Sequence, residues 1–386
     1  MQREKTAFLE SAWAGLRQGA GRLDGPLLGA AGLLVLLGLF FIASASRTLP
    51  GSGGESAGLL ARQVIFLALG AVALVALQKF DYLTLLRQSP LLYLAGLLLL
   101  CAVLFTAPVN GARSWFNLYF FKLQPSEIMK PVLILTLAYY LMYRDSYKRL
   151  GGLCVPLVLW FVPLALILKQ PDLGTALVLI PVVFAMLYAA GARLWHLGLM
   201  MLAGGGGLVG LWFTVMKDYQ KRRILAWLDP DQYRLNEAWQ QLHSEMAVGS
   251  GGFLGKGLGQ SGRDGVALLP ERHTDFIFAV TAEEGGFVIG ALMLALLAFV
   301  ALASLNVGLR TREPAGRLIA VGVATLLGGQ ALINAGVALG LLPTTGLTLP
   351  FVSYGGSSLL SAFLCLGLLM NVNTRQEPVL AREDFA

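Results

Sequence analysis

Between Asp24 and Arg47 the chain carries no ionisable residue and is built almost wholly of Leu, Ala, Gly, Phe, Val, Ile and Ser. A run of about 18 such residues crosses the hydrocarbon of a bilayer as a helix. Comparable stretches recur, and we place ten spans at roughly 27–45, 60–78, 90–108, 127–143, 152–169, 172–190, 194–216, 276–305, 317–341 and 355–373. At about 20 residues each, these use roughly half of the chain. The composition agrees: 56% of the 386 residues are hydrophobic, 13% are charged, and the mean hydropathy is +0.69. Soluble domains carry about 25% charged residues, so a soluble domain, a disordered chain and a disulfide scaffold are all excluded. Lipid cannot satisfy open backbone, and the apolar runs lack the alternation of barrel strands. The expected fold is therefore all-α: an integral membrane protein of about ten transmembrane helices.

An even number of spans puts both termini on one side, and charge tells which. With the N-terminus inside, the inner segments hold fifteen Lys and Arg, and the short outer loops hold only Arg47, Arg113, Lys122 and Lys169. This bias predicts an N-in, C-in topology. The division is then a cytoplasmic segment at 1–26, a membrane domain at 27–373 and a cytoplasmic tail at 374–386. The polar start, Met1 to Gly25, does not read as a cleavable signal peptide. The net charge of +7 follows largely from the inner loops, so a nucleic-acid partner is not needed to explain it. The three cysteines, Cys101, Cys154 and Cys365, fall inside apolar runs and read as small core residues.

The long outer segment 217–275, between the seventh and eighth spans, breaks the pattern. A loop of this length is usually functional, and Asn236 to Ala247 suits a surface helix. Within it, Gly249-Ser-Gly-Gly-Phe-Leu-Gly-Lys-Gly-Leu-Gly invites a phosphate-loop reading. That reading fails, because Gly257 stands where Ser or Thr must follow Gly255-Lys256. The stretch reads instead as a flexible or tightly turning loop.

Polar residues gather in four outer segments, 110–130, 169–175, 217–275 and 343–358, which a folded bundle can bring together. Gln124-Pro125 or Ser126 suits the start of the fourth span, and Glu127 and Lys130 share one helix face. Ionisable groups at that depth are costly, and read either as a structural ion pair or as functional residues. Trp115 stands beside Arg113, and the Phe and Tyr residues that follow suit an interfacial belt. Asp172 either caps the sixth span or meets a ligand. Lys221-Arg222-Arg223 is either a phosphate contact or a solvated helix end. Thr274 or Asp275 either caps the eighth span or acts at its mouth, while Glu283 and Glu284 lie two turns deeper.

Five motifs occur in order: Gly111-Ala-Arg-Ser-Trp115, Gln124-Pro-Ser-Glu-Ile-Met-Lys130, Gln170-Pro-Asp-Leu-Gly-Thr175, Leu269-Pro-Glu-Arg-His-Thr-Asp-Phe-Ile-Phe-Ala-Val280 and Pro350-Phe-Val-Ser-Tyr-Gly-Gly-Ser-Ser358. On these the chain resembles the SEDS family of bacterial cell-wall proteins (shape, elongation, division and sporulation) over nearly its whole length. Arg272-His273 and Glu283-Glu284-Gly285-Gly286 resemble the elongation branch. Gly346-Leu-Thr-Leu-Pro350 leans toward the division branch; on balance the resemblance implies the elongation branch, with a role in cell elongation and rod shape, and division is the alternative.

The resemblance implies a peptidoglycan glycosyltransferase at the outer face of the cytoplasmic membrane. It would polymerise lipid II, release undecaprenyl pyrophosphate, and work with a class B penicillin-binding protein that supplies crosslinking. The family's essential aspartate falls on Asp275, and its Glu and Lys fall on Glu127 and Lys130. Substrate contacts are expected from Arg113, Trp115, Gln124, Ser126, Gln170, Asp172, Arg223, Arg272, His273, Thr274, Ser353, Tyr354 and Ser357. Ser114 replaces the Arg usual in its motif, which leaves Arg113 as the phosphate contact.

Such a reaction needs a carboxylate to take a hydroxyl proton and cations for the leaving pyrophosphate. A divalent cation, Mg or Mn, held by Asp275 with Glu127 or Asp172 is a further option. The competing readings are a lipid-precursor transporter, which the Gly-rich breaks and Glu127 and Lys130 also suit, and a scaffold that only recruits the crosslinking partner.

Overall fold

The computed structural model describes residues 24–47, 53–108, 112–118, 121–144, 150–214, 216, 218–235, 238–260, 269 and 271–375. The expected segments at 1–26 and 374–386 lie almost wholly outside these residues.

Helix α1 (Gly25–Arg47) starts directly after Asp24, whose carboxylate accepts from the Leu27 N–H. Helix α2 (Gly53–Lys79) runs to a short connector helix, α3 (Tyr82–Arg87), which is capped by the Asp81 side chain. Next come α4 (Ser89–Val103) and an antiparallel hairpin of β1 (Phe116–Leu118) and β2 (Phe121–Leu123), in which Asn117 faces Lys122. Helices α5 (Pro125–Leu141), α6 (Cys154–Lys169), α7 (Leu173–Ala190) and α8 (Leu194–Thr214) follow. Two shorter helices, α9 (Asp218–Leu228) and α10 (Trp239–Ser250), precede α11 (Ile277–Arg310), α12 (Pro314–Ala338) and α13 (Gly356–Thr374).

Among the described residues, eight helices are long and apolar enough to cross a membrane: α1, α2, α6 with the turn before it, α7, α8, α11, α12 and α13. The other two expected spans are α4 and α5, of 15 and 17 residues. The protein is thus an all-α membrane protein. The third expected span stops at Val103 rather than 108, because the Thr106 hydroxyl turns back onto the Val103 carbonyl at 2.8 Å and Pro108 follows.

Helix α5 is apolar almost all round and is buried almost all round within the bundle. It packs against α4, α6, α7, α12 and α13. Helix α12 runs beside it and also contacts α7, α10 and α11, while α13 pairs with α2. Helix α8 lies at the edge with little of its surface buried. The core expectation for the cysteines holds for Cys365 only: Cys101 and Cys154 are exposed on the bundle's outer surface. An apolar run in a membrane chain does not distinguish a lipid-facing position from a core position, and composition alone cannot separate them.

Helix α11 is broken. Gly286 sits at φ 71°, ψ −171° and divides a short buried piece, Ile277–Gly285, from the long remainder. A break at this depth frees backbone groups that lipid cannot satisfy. The glycine-rich stretch closes both sides of it. The amides of Lys256 and Gly257 donate to the Glu283 and Glu284 carbonyls at 3.0 and 3.1 Å, and the Phe287 and Val288 amides donate to the Gly252 and Phe253 carbonyls. Lys256 Nζ then meets Glu283 Oε1 at 2.7 Å, where Glu283 is fully buried. The turning-loop reading therefore gains a physical cause. Gly255 has φ 81°, and a Cβ there collides with the Glu284 carbonyl, so only glycine lets the two backbones meet.

A Gly255→Ala protein should lose about 1–3 kcal/mol through backbone strain alone, and more through the collision. Gly204→Ala, in α8 with open space around it, should be neutral or slightly stabilising. Thermal unfolding in detergent checks the pair, and equal melting temperatures would refute this role of the loop.

Candidate active site

The polar segments converge at one end of the bundle. Asp172 is the N-cap of α7: its Oδ1 accepts from the Thr175 N–H at 3.0 Å. Its Oδ2 accepts from Ser126 Oγ and from Gln124 Nε2, both at 2.8 Å. One carboxylate thus caps one helix and ties down the start of another, α5, whose own N-cap is Gln124. Ser114 Oγ donates to the Gln170 carbonyl, and Gln170 Nε2 donates to the Leu100 carbonyl. Ser357 Oγ accepts from the Gln124 N–H and donates to the Lys122 carbonyl. Arg113 is exposed, with one guanidinium nitrogen 3.2 Å from the Leu104 carbonyl, and Trp115 is half-buried nearby. Gly111 lies outside the described residues.

Glu127 and Lys130 meet at 2.8 Å with their side chains 6% and 1% exposed. Lys130 also donates to Gln330 Oε1 at 3.3 Å. Gln330 in turn donates to the Thr348 carbonyl at 2.9 Å. The ammonium is therefore enclosed by protein. It supports the 343–350 segment and does not face the pocket described next.

That pocket lies at the N-terminal end of α11. Asp275 lines it together with Arg223, Gln240, Asn334, Thr344 and Thr345. The N-cap of α11 is Phe276, which makes no side-chain cap, so the capping reading of Thr274 and Asp275 does not hold. Helix α11 begins one residue later and leaves the Asp275 carboxylate for the pocket. Asn334 Nδ2 holds the Asp275 carbonyl at 2.8 Å and the Leu347 carbonyl at 2.6 Å. Burial, helped by the charge of Glu271, pushes the Asp275 carboxyl up to about 7, against the opposing pull of Thr274's hydrogen bond and of Arg223.

The residues just before Asp275 are anchored. Arg272 is 2% exposed; its burial lowers its pKa, and the charge of Glu284 opposes that shift. Burial also lowers the pKa of His273, whose ring lies against Tyr354 with centroids 5.4 Å apart. Ser353 Oγ donates to the Thr274 carbonyl at 2.6 Å, and the Tyr354 N–H donates to the His273 carbonyl. The structure thus joins the 269–280 and 350–358 motifs directly.

Of the expected site residues, Asp275 and Arg223 share the pocket. Gln124, Ser126 and Asp172 form one hydrogen-bonded cluster, and Ser357 touches it through the Gln124 backbone. Gln240, Gln330, Asn334, Thr344 and Thr345 escaped the sequence reading. Gln330 and Asn334 left one visible sign, polar residues four apart in an otherwise apolar span. The surface helix expected over Asn236 to Ala247 lies at Trp239–Ser250 and carries Gln240 to the pocket; Asn236 is outside the described residues.

The residues do not fit a divalent cation. Both Asp172 oxygens are engaged by protein donors, and Glu127 is paired with Lys130. Among the described residues no three His, Cys, Asp or Glu converge.

A family model described as "Cell cycle protein" (FTSW_RODA_SPOVE) matches residues 26–377. The chain is 41% identical over 326 residues to a probable peptidoglycan glycosyltransferase FtsW of Geobacter metallireducens, covering 82% of this chain and 85% of that one. It is 38% identical over 349 residues to stage V sporulation protein E of Bacillus subtilis, covering 88% and 94%. Among solved structures, it resembles a chain of a peptidoglycan synthase complex that coordinates polymerization and crosslinking: TM-score 0.79, 34% identity, 92% of this chain and 98% of that one. It also resembles the rod shape determining protein RodA of Thermus thermophilus: TM-score 0.68, 32% identity, 91% and 96% covered.

Breaking a buried ion pair from one side leaves an uncompensated charge and costs about 3–5 kcal/mol, whereas removing both partners costs far less. Lys130→Met should therefore unfold at a lower temperature than the double variant Glu127→Leu/Lys130→Met. A double variant less stable than the single one would contradict the enclosed-pair description.

Proposed function

The chain belongs to the FtsW/RodA/SpoVE family of cell cycle proteins, and from that premise we propose how it works as a peptidoglycan glycosyltransferase. Its substrate is lipid II, and it joins C1 of a sugar carrying a lipid pyrophosphate to the 4-hydroxyl of an acceptor sugar. The site lies at the outer face of the bacterial inner membrane, the side opposite the basic loops.

Asp275 is the general base. Its carboxylate takes the proton of the acceptor hydroxyl as that oxygen bonds to C1. The C1–O bond to pyrophosphate breaks, and the electron pair leaves with undecaprenyl pyrophosphate. A single displacement inverts the anomeric centre, so no covalent nucleophile is required. A base works best when its pKa lies near the working pH, and a carboxyl held at about 7 in a pocket meets that need. The observation that carries the reading is the placement of Asp275, outside the α11 cap and lining one pocket with Arg223. Arg223, in the same pocket, supplies positive charge for the departing pyrophosphate, and the exposed Arg113 adds to it. Lys130, enclosed with Glu127 and Gln330, positions the 343–350 segment.

A transporter reading draws less support. Beyond Lys130, helix α5 is apolar apart from Thr136 until its Tyr139 and Tyr140 end, which leaves no polar path along it. The likeness to a chain from a synthase complex that joins polymerization to crosslinking supports a class B penicillin-binding protein as partner. As to cellular role, Arg272-His273 and Glu283-Glu284 favour elongation. The 41% identity to a protein named FtsW, against 32% to RodA, favours division, and we adopt division.

Purified protein given labelled lipid II should make polymer, and Asp275→Ala should lose at least about 100-fold in rate with an unchanged melting temperature. The base must be ionised, so the rate should rise with pH through a midpoint near the carboxyl's value of about 7. Glu271→Gln should move that midpoint down, because the Glu271 charge pushes it up. Full activity in a folded Asp275→Ala protein would sink the assignment. Depletion in the host should give filaments; rounded cells would restore the elongation role.

A further inference from the structure

We propose that Asn334 and Thr345 form the acceptor-recognition edge of this pocket, hydrogen-bonding a hydroxyl adjacent to the one that reacts. The inference deepens the glycosyltransferase reading and rests on it.

Asn334 is 1% exposed and lines the pocket beside Asp275. Both of its Nδ2 partners are carbonyl oxygens, of Asp275 and Leu347. Carbonyls accept only, so the amide cannot be flipped and both of its hydrogens are spent. What remains is Oδ1, an obligate acceptor, and it has no partner among the described residues. Thr345 lines the same pocket, and its buried Oγ1 likewise has no partner among the described residues. Buried polar atoms left unmatched are rare, and each calls for a cause. Here two of them belong to residues that line one pocket with a carboxylate.

The pair defines its ligand. An obligate acceptor and a carboxylate repel phosphate oxygens, so the pyrophosphate does not bind on this edge. A hydroxyl donates to one oxygen and accepts from the other, which matches Asn334 Oδ1 and Thr345 Oγ1 together. The pocket holds ≈ 40 Å³, which at roughly 10–15 Å³ per water-sized group takes about three such groups. That admits the edge of a sugar ring, with its reacting hydroxyl and a neighbour, and not the whole ring. The amide that reads the neighbour also holds the backbone of Asp275. A ring fixed at Asn334 is therefore fixed relative to the base.

The test varies protein and acceptor together. Thr345→Val keeps the shape and removes a hydroxyl that has no hydrogen-bond partner among the described residues, so its melting temperature should equal wild type even where Asn334 variants fail to fold. With a preformed glycan–lipid donor, Thr345→Val should lose about tenfold in kcat/KM for the natural acceptor. Acceptors lacking the 3-hydroxyl or the 6-hydroxyl identify the partner: one should lose at least about tenfold with wild type and clearly less with Thr345→Val, where only the Asn334 bond is left to lose. Wild-type kinetics for Thr345→Val, or losses that add fully on both analogues, would overturn the proposal. An active, folded Asp275→Ala protein would instead remove the reaction reading beneath it, so the two failures are distinguishable.

Discussion

A backbone carbonyl or amide at membrane depth must find a partner inside the protein, and the rest of this structure follows from that constraint. The bundle end that carries the site is irregular. It includes a broken helix at Gly286, the non-helical 343–355 segment and a two-strand hairpin. Most of the polar side chains there are occupied in repairing this irregularity. Asn334 holds two carbonyls, Gln330 holds Thr348, Ser353 holds Thr274, and Asp172 serves two helix starts. The glycine-rich loop repairs the α11 break with its own backbone.

Once these structural duties are set aside, few polar groups remain for chemistry. Asp275 is freed because the N-cap of α11 falls on Phe276, one residue after it, and Arg223 reaches the same pocket from α9. Asn334 keeps one unused oxygen, and Thr345 keeps its hydroxyl. Lys130 and Glu127, the most conspicuous charges in the sequence, are enclosed with each other. Buried pairs of this kind hold geometry more than they add stability, and this one sits beneath the segment that forms the pocket wall.

Much of this was legible from residues alone. The spans were readable because charge-free length is a one-dimensional property, and the Asp172 cap because capping is local. The spacing of Glu127 and Lys130 announced their pairing for the same reason. What escaped depended on distant partners. Nothing near Gly255 says that its backbone meets Glu284, and nothing near Thr345 says that it lines one pocket with Asp275. The outward position of Cys101 and Cys154 escaped because lipid and core are equally apolar.

The central claim is that Asp275 is a carboxyl poised near neutrality inside the pocket. Infrared difference spectra between wild type and Asp275→Asn, recorded across pH, observe that carboxyl directly. The account predicts a protonated-carboxyl band that fades with a midpoint of about 7. A carboxylate already ionised at about pH 5, below the range where a raised Asp titrates, would contradict it.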